Sequence, residues 1–173
     1  MKDCLVVVDM QVDFITGALG TPEAVEIVPE VCARIRKAAD EGADILCTMD
    51  THADSYLTTQ EGIKLPVPHC IKGTPGWALC PEVLDCLPES AVVFEKPTFG
   101  SRALFEYAAQ RGYNHIELCG LCTDICVISN ALGLKAFLPE AEVTVTAACC
   151  AGVTPESHEN ALQSMRACQI EVE

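Results

Sequence analysis

The feature that most constrains this chain is an alternation of short, nearly unbroken apolar runs with stretches of helical spacing. Leu5-Val6-Val7-Val8 runs into Asp9, Ala43-Asp44-Ile45-Leu46-Cys47-Thr48-Met49 into Asp50, and Ala91-Val92-Val93-Phe94-Glu95 into Lys96. Residues His115–Gly120 and Glu142–Thr146 repeat the pattern, and Gln169–Val172 reads as a sixth short strand. Helical spacing marks Pro29–Glu41, Cys80–Cys86, Ser101–Arg111, Asp124–Ala136 and Pro155–Cys168, with Gly42 and Gly112 as stops. Strands that are apolar on both faces must be covered on both faces, and strands alternating with helices give a parallel sheet. The expectation is a single α/β domain over residues 1–173, a three-layer α/β/α arrangement around a mostly parallel, six-stranded, doubly wound sheet.

Composition narrows the function classes. The 173 residues are enough for one sizeable core, and half of them are hydrophobic. Acidic residues outnumber basic ones 25 to 11, a formal charge of −14, which excludes a broad basic face for nucleic acid or anionic membrane. The apolar runs are strand-sized, and Met1-Lys2-Asp3-Cys4 enters a strand pattern with no signal-peptide character, so a cytoplasmic protein is expected. Of twelve cysteines, Cys4, Cys32, Cys47, Cys119 and Cys168 fall inside apolar segments, where a free thiol acts as a small core residue. Cys149 and Cys150 are adjacent and do not suit a mutual bridge, and the Cys119-x-x-Cys122 pair has no second pair at zinc-ribbon spacing.

In an open parallel sheet the strand C-termini share one edge, and ligands bind in the crevice there. Asp9, Asp50 and Lys96 each follow a strand, and Cys126 follows the fourth strand at the start of a helix. If the strand order reverses between the first and fourth strands, Asp9 and Cys126 face each other. Thr123 suits an N-cap, which puts Cys126 in a first helical turn, where free N–H groups and a nearby Lys96 would lower the thiol below about 8.5. A carboxylate at Asp9 could take the thiol proton and return it to a leaving amine, and N–H groups of the same turn could form an oxyanion hole. From the residues alone, Cys126 as one more core cysteine stays open beside this reading.

The segment from Thr51 to Gly76 is rich in Thr, Pro and His and has little periodicity, and loops of that length in compact domains are usually functional. Asp50 and His52 lie two apart and point the same way in an extended chain, with Glu61 and His69 further on. Two imidazoles and two carboxylates suit Zn²⁺, Mn²⁺ or Fe²⁺, although the spacing alone is not diagnostic. His115 and His158 lack partners at ligand spacing and read as solvated or core-satisfied.

Three segments in order, Val6-Val7-Val8-Asp9-Met10-Gln11-Val12-Asp13-Phe14, Phe94-Glu95-Lys96 and Gly120-Leu121-Cys122-Thr123-Asp124-Ile125-Cys126-Val127, resemble the motifs of the isochorismatase-like cysteine hydrolases, nicotinamidase type. The resemblance implies Asp9 as acid/base, Lys96 as its partner and Cys126 as nucleophile. It implies a cis bond between Leu121 and Cys122, with the N–H groups of Cys122 and Cys126 in the oxyanion hole. It also implies a divalent ion, Zn²⁺ before Mn²⁺ or Fe²⁺, held by Asp50, His52, Glu61 and His69. Substrate contacts would come from Phe14, Leu19 and Phe99, and a homo-oligomer is expected. Pro66-Val67-Pro68-His69-Cys70 is similar to the Trp-Pro-x-His-Cys of nicotinamidases, but Pro66 stands at the Trp position and Trp77 is out of register. The expected function is metal-assisted release of ammonia from a small amide such as nicotinamide, through a thioester. The alternatives are hydrolysis of a carbamoyl or ureido compound, or a non-catalytic redox- or ligand-binding flavodoxin-like module with a reversible Cys119–Cys122 bridge.

Overall fold

The computed structural model describes residues 2–173. Six strands, β1 (Asp3–Val8), β2 (Asp44–Asp50), β3 (Val92–Lys96), β4 (His115–Leu121), β5 (Glu142–Ala151) and β6 (Glu171–Val172), form one sheet in the order β3-β2-β1-β4-β5-β6. Every pairing is parallel. The order reverses between β1 and β4, so the crevice opens above those two strands. Asp50 and Lys96 are the last residues of their strands, whereas Asp9 lies just past its own.

Period-two alternation divides β1 between two cores. Leu5 and Val7 face a cluster with Val31, Cys32, Ile35 and Ala38, while Cys4, Val6 and Val8 face one with Leu104, Ala131, Leu134 and Met165. The first cluster lies beneath α1 (Val12–Ile15), α2 (Pro22–Glu26), α3 (Val28–Asp40) and, beyond the short α4 (Gln60–Lys64) of the long loop, α5 (Pro81–Leu84). The second lies beneath α6 (Arg102–Arg111), α7 (Ile128–Phe137) and α8 (Pro155–Ala167). Each fully buried Val, Leu or Ile contributes about 1.5–3 kcal/mol relative to exposure, so both faces hold the layers together.

Local chemistry sets the ends. The Ser101 hydroxyl accepts the Leu104 N–H at 3.2 Å to start α6, and Gly112 at φ +66° ends it. Thr154 and Ser157 cap each other's backbone N–H groups at the start of α8. Gly120 has φ +113°, and a Cβ there would sit 2.2 Å from the Val8 carbonyl oxygen, so only glycine lets β4 approach β1 beside the crevice.

Several details differ from the sequence expectation. The short helices α1 and α2 lack enough turns to show a period. The strand β5 runs on to Ala151, past a register irregularity opposite Leu118 and Gly120. The long loop contains α4 and turns at Tyr56–Thr58 and Pro75–Trp77. All twelve cysteines are free thiols, and Cys168 is exposed, because α8 ends at Ala167 and leaves it at the C-cap. No helix among the described residues is long and apolar enough to cross a membrane.

One ion pair, half-buried at Arg34 and buried at Glu117, ties α3 to the sheet. The Arg34 guanidinium forks onto the Glu117 carboxylate, with Nε donating at 2.6 Å and Nη2 to the second oxygen, and Thr146 Oγ1 donates at 2.5 Å. Burial pushes the Glu117 carboxyl up, but these hydrogen bonds outweigh it and hold the carboxyl below its ordinary value. That sign means the stabilisation is present above the unfolded carboxyl's value of about 4.3 and is lost as pH falls below it. Arg34→Met is therefore expected to lower stability by about 3–5 kcal/mol at pH 7, by leaving a buried carboxylate unpaired, and by less at pH 4. Urea midpoints at the two pH values measure this; equal losses at both would count against the pair.

Candidate active site

The sheet edge brings Asp9, Lys96 and Cys126 into contact, although they come from three separate stretches of chain. Asp9 takes φ +47°, a left-handed conformation unusual outside glycine, at the point where the chain leaves β1. Its Oδ1 accepts Thr48 Oγ1 at 2.7 Å, and its Oδ2 meets Lys96 Nζ at 2.7 Å. The Lys96 ammonium also reaches the Thr98 carbonyl at 3.0 Å, Asp50 Oδ1 at 3.3 Å and Cys126 Sγ at 3.5 Å. All three side chains are buried.

The electrostatics follow from that burial. Desolvation works against the Lys96 ammonium, yet Asp9, Cys126 and Asp50 outweigh it and raise its pKa. Burial lifts the Asp9 carboxyl above its ordinary range, against the pull of Lys96. The Cys126 thiol is also raised, by burial and then by Asp9, with Lys96 only partly offsetting them. This corrects the expectation of a lowered thiol. In addition, Cys126 lies in a π turn, Thr123–Val127, and not in the first turn of an α-helix. Burial thus shifts both the Cys126 thiol and the Asp9 carboxyl toward their protonated forms, with the Lys96 ammonium in contact with each.

The peptide bond between Leu121 and Cys122 is cis. Thr123 does not cap the turn. Cys122 holds that position without a side-chain cap bond, and the buried Thr123 hydroxyl instead bonds His158 Nδ1 at 2.7 Å. His158 is thus satisfied by the turn that carries Cys126, a link across 35 residues that helical spacing cannot reveal. Cys119 is fully buried in the sheet, whereas Cys122 lines the pocket.

Beside this cluster, single donor atoms of Asp50, His52, Glu61 and His69 all lie within 4.8 Å of one another. His52 Nε2 stands 2.8 Å from Asp50 Oδ2 and 3.5 Å from Glu61 Oε1, and His69 Nε2 stands 3.4 and 3.7 Å from the same two oxygens. His69 Nδ1 donates to the Val67 carbonyl at 2.8 Å, which leaves the Nε2 lone pair facing the cluster. His52 Nε2 is buried and has no hydrogen-bond partner. Burial pushes the Asp50 carboxyl up, but both histidines and Lys96 hold it well below the usual range. Two imidazole nitrogens and two carboxylate oxygens fit a divalent cation.

Three supporting residues escaped the sequence reading. The Gln11 amide pairs with the Asp50 backbone, with Oε1 accepting its N–H at 2.7 Å and Nε2 donating to its carbonyl at 2.9 Å. The Asp13 carboxylate accepts the Cys70 N–H at 2.8 Å and so fixes the turn after His69. Tyr56 wedges against both histidine rings, with centroids 4.7 and 5.0 Å away. Gln11 and Asp13 lie inside the first motif, which was the available signal; nothing in the sequence singles out Tyr56.

A slot of about 40 Å³ joins the two halves, lined by Phe14, Leu19, Phe99, Cys122, Ile125 and Cys126, with Asp50, Glu61, Leu65 and His69 at the other side. Its exposed walls are mostly apolar, and Cys126, Asp50, Glu61 and His69 are among the residues that line it. The three residues expected to contact substrate all line it.

A thiol, a carboxylate and an ammonium beside four side chains that could hold a metal ion, on a parallel sheet with its reversal at β1/β4, go with an amidohydrolase acting on a C–N bond. The chain belongs to the isochorismatase family, matching the Isochorismatase domain over residues 3–173. It is 27% identical to the nicotinamidase/pyrazinamidase of Mycobacterium tuberculosis, over 97% of this chain and 96% of that one. Among solved structures, the pyrazinamidase of Pyrococcus horikoshii in complex with zinc is 30% identical, with a TM-score of 0.87 over 100% and 99% of the two chains. The N-carbamoylsarcosine amidase of Thermoplasma acidophilum is 26% identical, with a TM-score of 0.81 over 100% and 96%.

Proposed function

We propose that this chain is a metal-assisted cysteine amidohydrolase that converts a small amide such as nicotinamide to the acid and ammonia through a thioester. The observation that carries the proposal is the contact of Lys96 with Asp9, Cys126 and Asp50 at once, 2.7, 3.5 and 3.3 Å away, at the end of a small pocket. Asp9 takes the Cys126 proton as sulfur attacks the amide carbon, then gives it to the departing nitrogen. Lys96 holds Asp9 in place and offsets negative charge on sulfur. The N–H groups of Cys122 and Cys126 receive the oxyanion. After ammonia leaves, Asp9 accepts a proton from the water that adds to the thioester carbon, the C–S bond breaks to release the acid, and Asp9 returns that proton to the Cys126 sulfur. Asp50, His52, Glu61 and His69 would hold the divalent ion, zinc by analogy with the P. horikoshii protein, and the ion would supply Lewis-acid coordination to orient the substrate ring.

The test is ammonia release by purified protein, with bound metals quantified, on nicotinamide, pyrazinamide and a set of N-carbamoyl compounds. Turnover of the ring amides is expected. Turnover of carbamoyl compounds alone would favour the second reading, which Pro66 at the usual Trp position and the likeness to the carbamoylsarcosine amidase support. Absence of ammonia from every compound would defeat both. Dialysis against a chelator is expected to abolish turnover and leave the far-ultraviolet circular dichroism unchanged, because neither core contains any of the four ligands. Unfolding on chelation would make the ion structural.

A further inference from the structure

The segment that carries Cys126 and the segment that follows Lys96 come from opposite sides of β4 in sequence, yet their relative placement sets the distance from thiol to ammonium. The loop Pro97–Ser101 supplies the Thr98 carbonyl to Lys96 Nζ and the Phe99 ring to the pocket wall. Among the described residues, the hydrogen bonds that join this loop to residues 123–130 come from one side chain, Asn130 of α7. Its Oδ1 accepts the Ser101 N–H at 2.9 Å, and its Nδ2 donates to the Phe99 carbonyl at 3.1 Å. The same Nδ2 donates to the Cys126 carbonyl one helical turn back, at 2.8 Å. The amide is fully buried, with both donor hydrogens and one acceptor position in use.

We propose that Asn130 is a positioning residue of the hydrolase. One planar amide fixes the backbone of the nucleophile and the backbone of the Phe99 loop in a single geometry. It thereby sets both the Cys126–Lys96 contact and the fit of the pocket wall. This inference rests on the reading of Cys126 as the nucleophile. Asn130 touches no reacting atom and acts through the two segments it joins. An aliphatic side chain of similar size would fill the space and release both.

The test uses two variants and a substrate-independent readout, the rate at which iodoacetamide alkylates Cys126, followed peptide by peptide in a mass spectrometer. Asn130→Leu is expected to lower kcat about a hundredfold, the scale of loss for a displacement near 1 Å, and to slow alkylation of Cys126 about tenfold. Asn130→Thr keeps a hydroxyl that can donate to the carbonyl four residues back but cannot reach the Phe99 loop. It is expected to hold the alkylation rate within about twofold and to raise KM about tenfold. A merely structural role would shift the melting temperature of both variants and leave the kinetic constants and the alkylation rate of the folded protein untouched, which would overturn the proposal. Should Asn130→Leu fail to fold, a wild-type KM in Asn130→Thr would overturn it equally. If the wild-type protein releases ammonia from no amide while Asn130→Leu still slows alkylation of Cys126, the amidase reading falls and the positioning role stands.

Discussion

Cys126→Ala is expected to abolish ammonia release, with kcat falling by about 10⁴- to 10⁶-fold, as when a covalent nucleophile is removed from a catalytic unit. The geometry gives no substitute. Cys122 also lines the pocket, but the Lys96 ammonium meets the Cys126 sulfur at 3.5 Å and makes no hydrogen bond to Cys122. The fold should survive, because the lost sulfur is one atom in a large core and an average substitution costs about 1 kcal/mol. Bound metal should be unchanged, since Cys126 is no ligand. Cys126→Ser should be almost as inactive, because a hydroxyl yields its proton to Asp9 far less readily than a thiol does. Ammonia release within tenfold of wild type in the alanine variant would remove the nucleophile from the proposal.

Lys96→Met should lose both activity and stability. The ammonium is 1% exposed and is the cation facing the Asp9 and Asp50 carboxylates. Removing one partner from a buried ionic group costs about 3–5 kcal/mol. The pH dependence has a definite sign. Burial already lifts Asp9, and without Lys96 nothing comparable opposes it. A group whose folded pKa lies above its unfolded value of about 3.9 stabilises fully below that value, and the contribution disappears as pH rises through the folded pKa. Metal-stripped Lys96→Met should therefore have a lower urea midpoint at pH 8 than at pH 5, with a smaller difference in the wild type. A variant as stable as wild type at pH 8 would mean that the carboxylates find another partner.

The sequence displayed most of the fold because apolar strands and helical spacing are local signals. The six strands and their parallel pairing follow from Leu5–Val8 and its counterparts, whereas the reversal that opens the crevice enters the sequence reading only as a condition and is seen in the strand order. The positions of Asp9, Asp50 and Lys96 followed from strand ends. Less visible were groups that act across the chain. Thr123 has the composition of an N-cap, but a histidine of α8 competes for its hydroxyl. Cys126 reads as a thiol of a first helical turn, yet it lies in a π turn, and desolvation and Asp9 raise it. Glu117 looks like any strand carboxylate until Arg34 is found against it. These are tertiary contests between opposing effects, and local periodicity carries no information about which one prevails.

Asp50 presents one carboxylate oxygen to the histidines and the other to Lys96. Thermodynamic reciprocity then applies: whatever factor a bound cation imposes on the ammonium's free energy, the ammonium must impose on the cation's affinity. Selection for a different ion at one end of the slot would thus retune the chemistry at the other, and the two halves are obliged to evolve together.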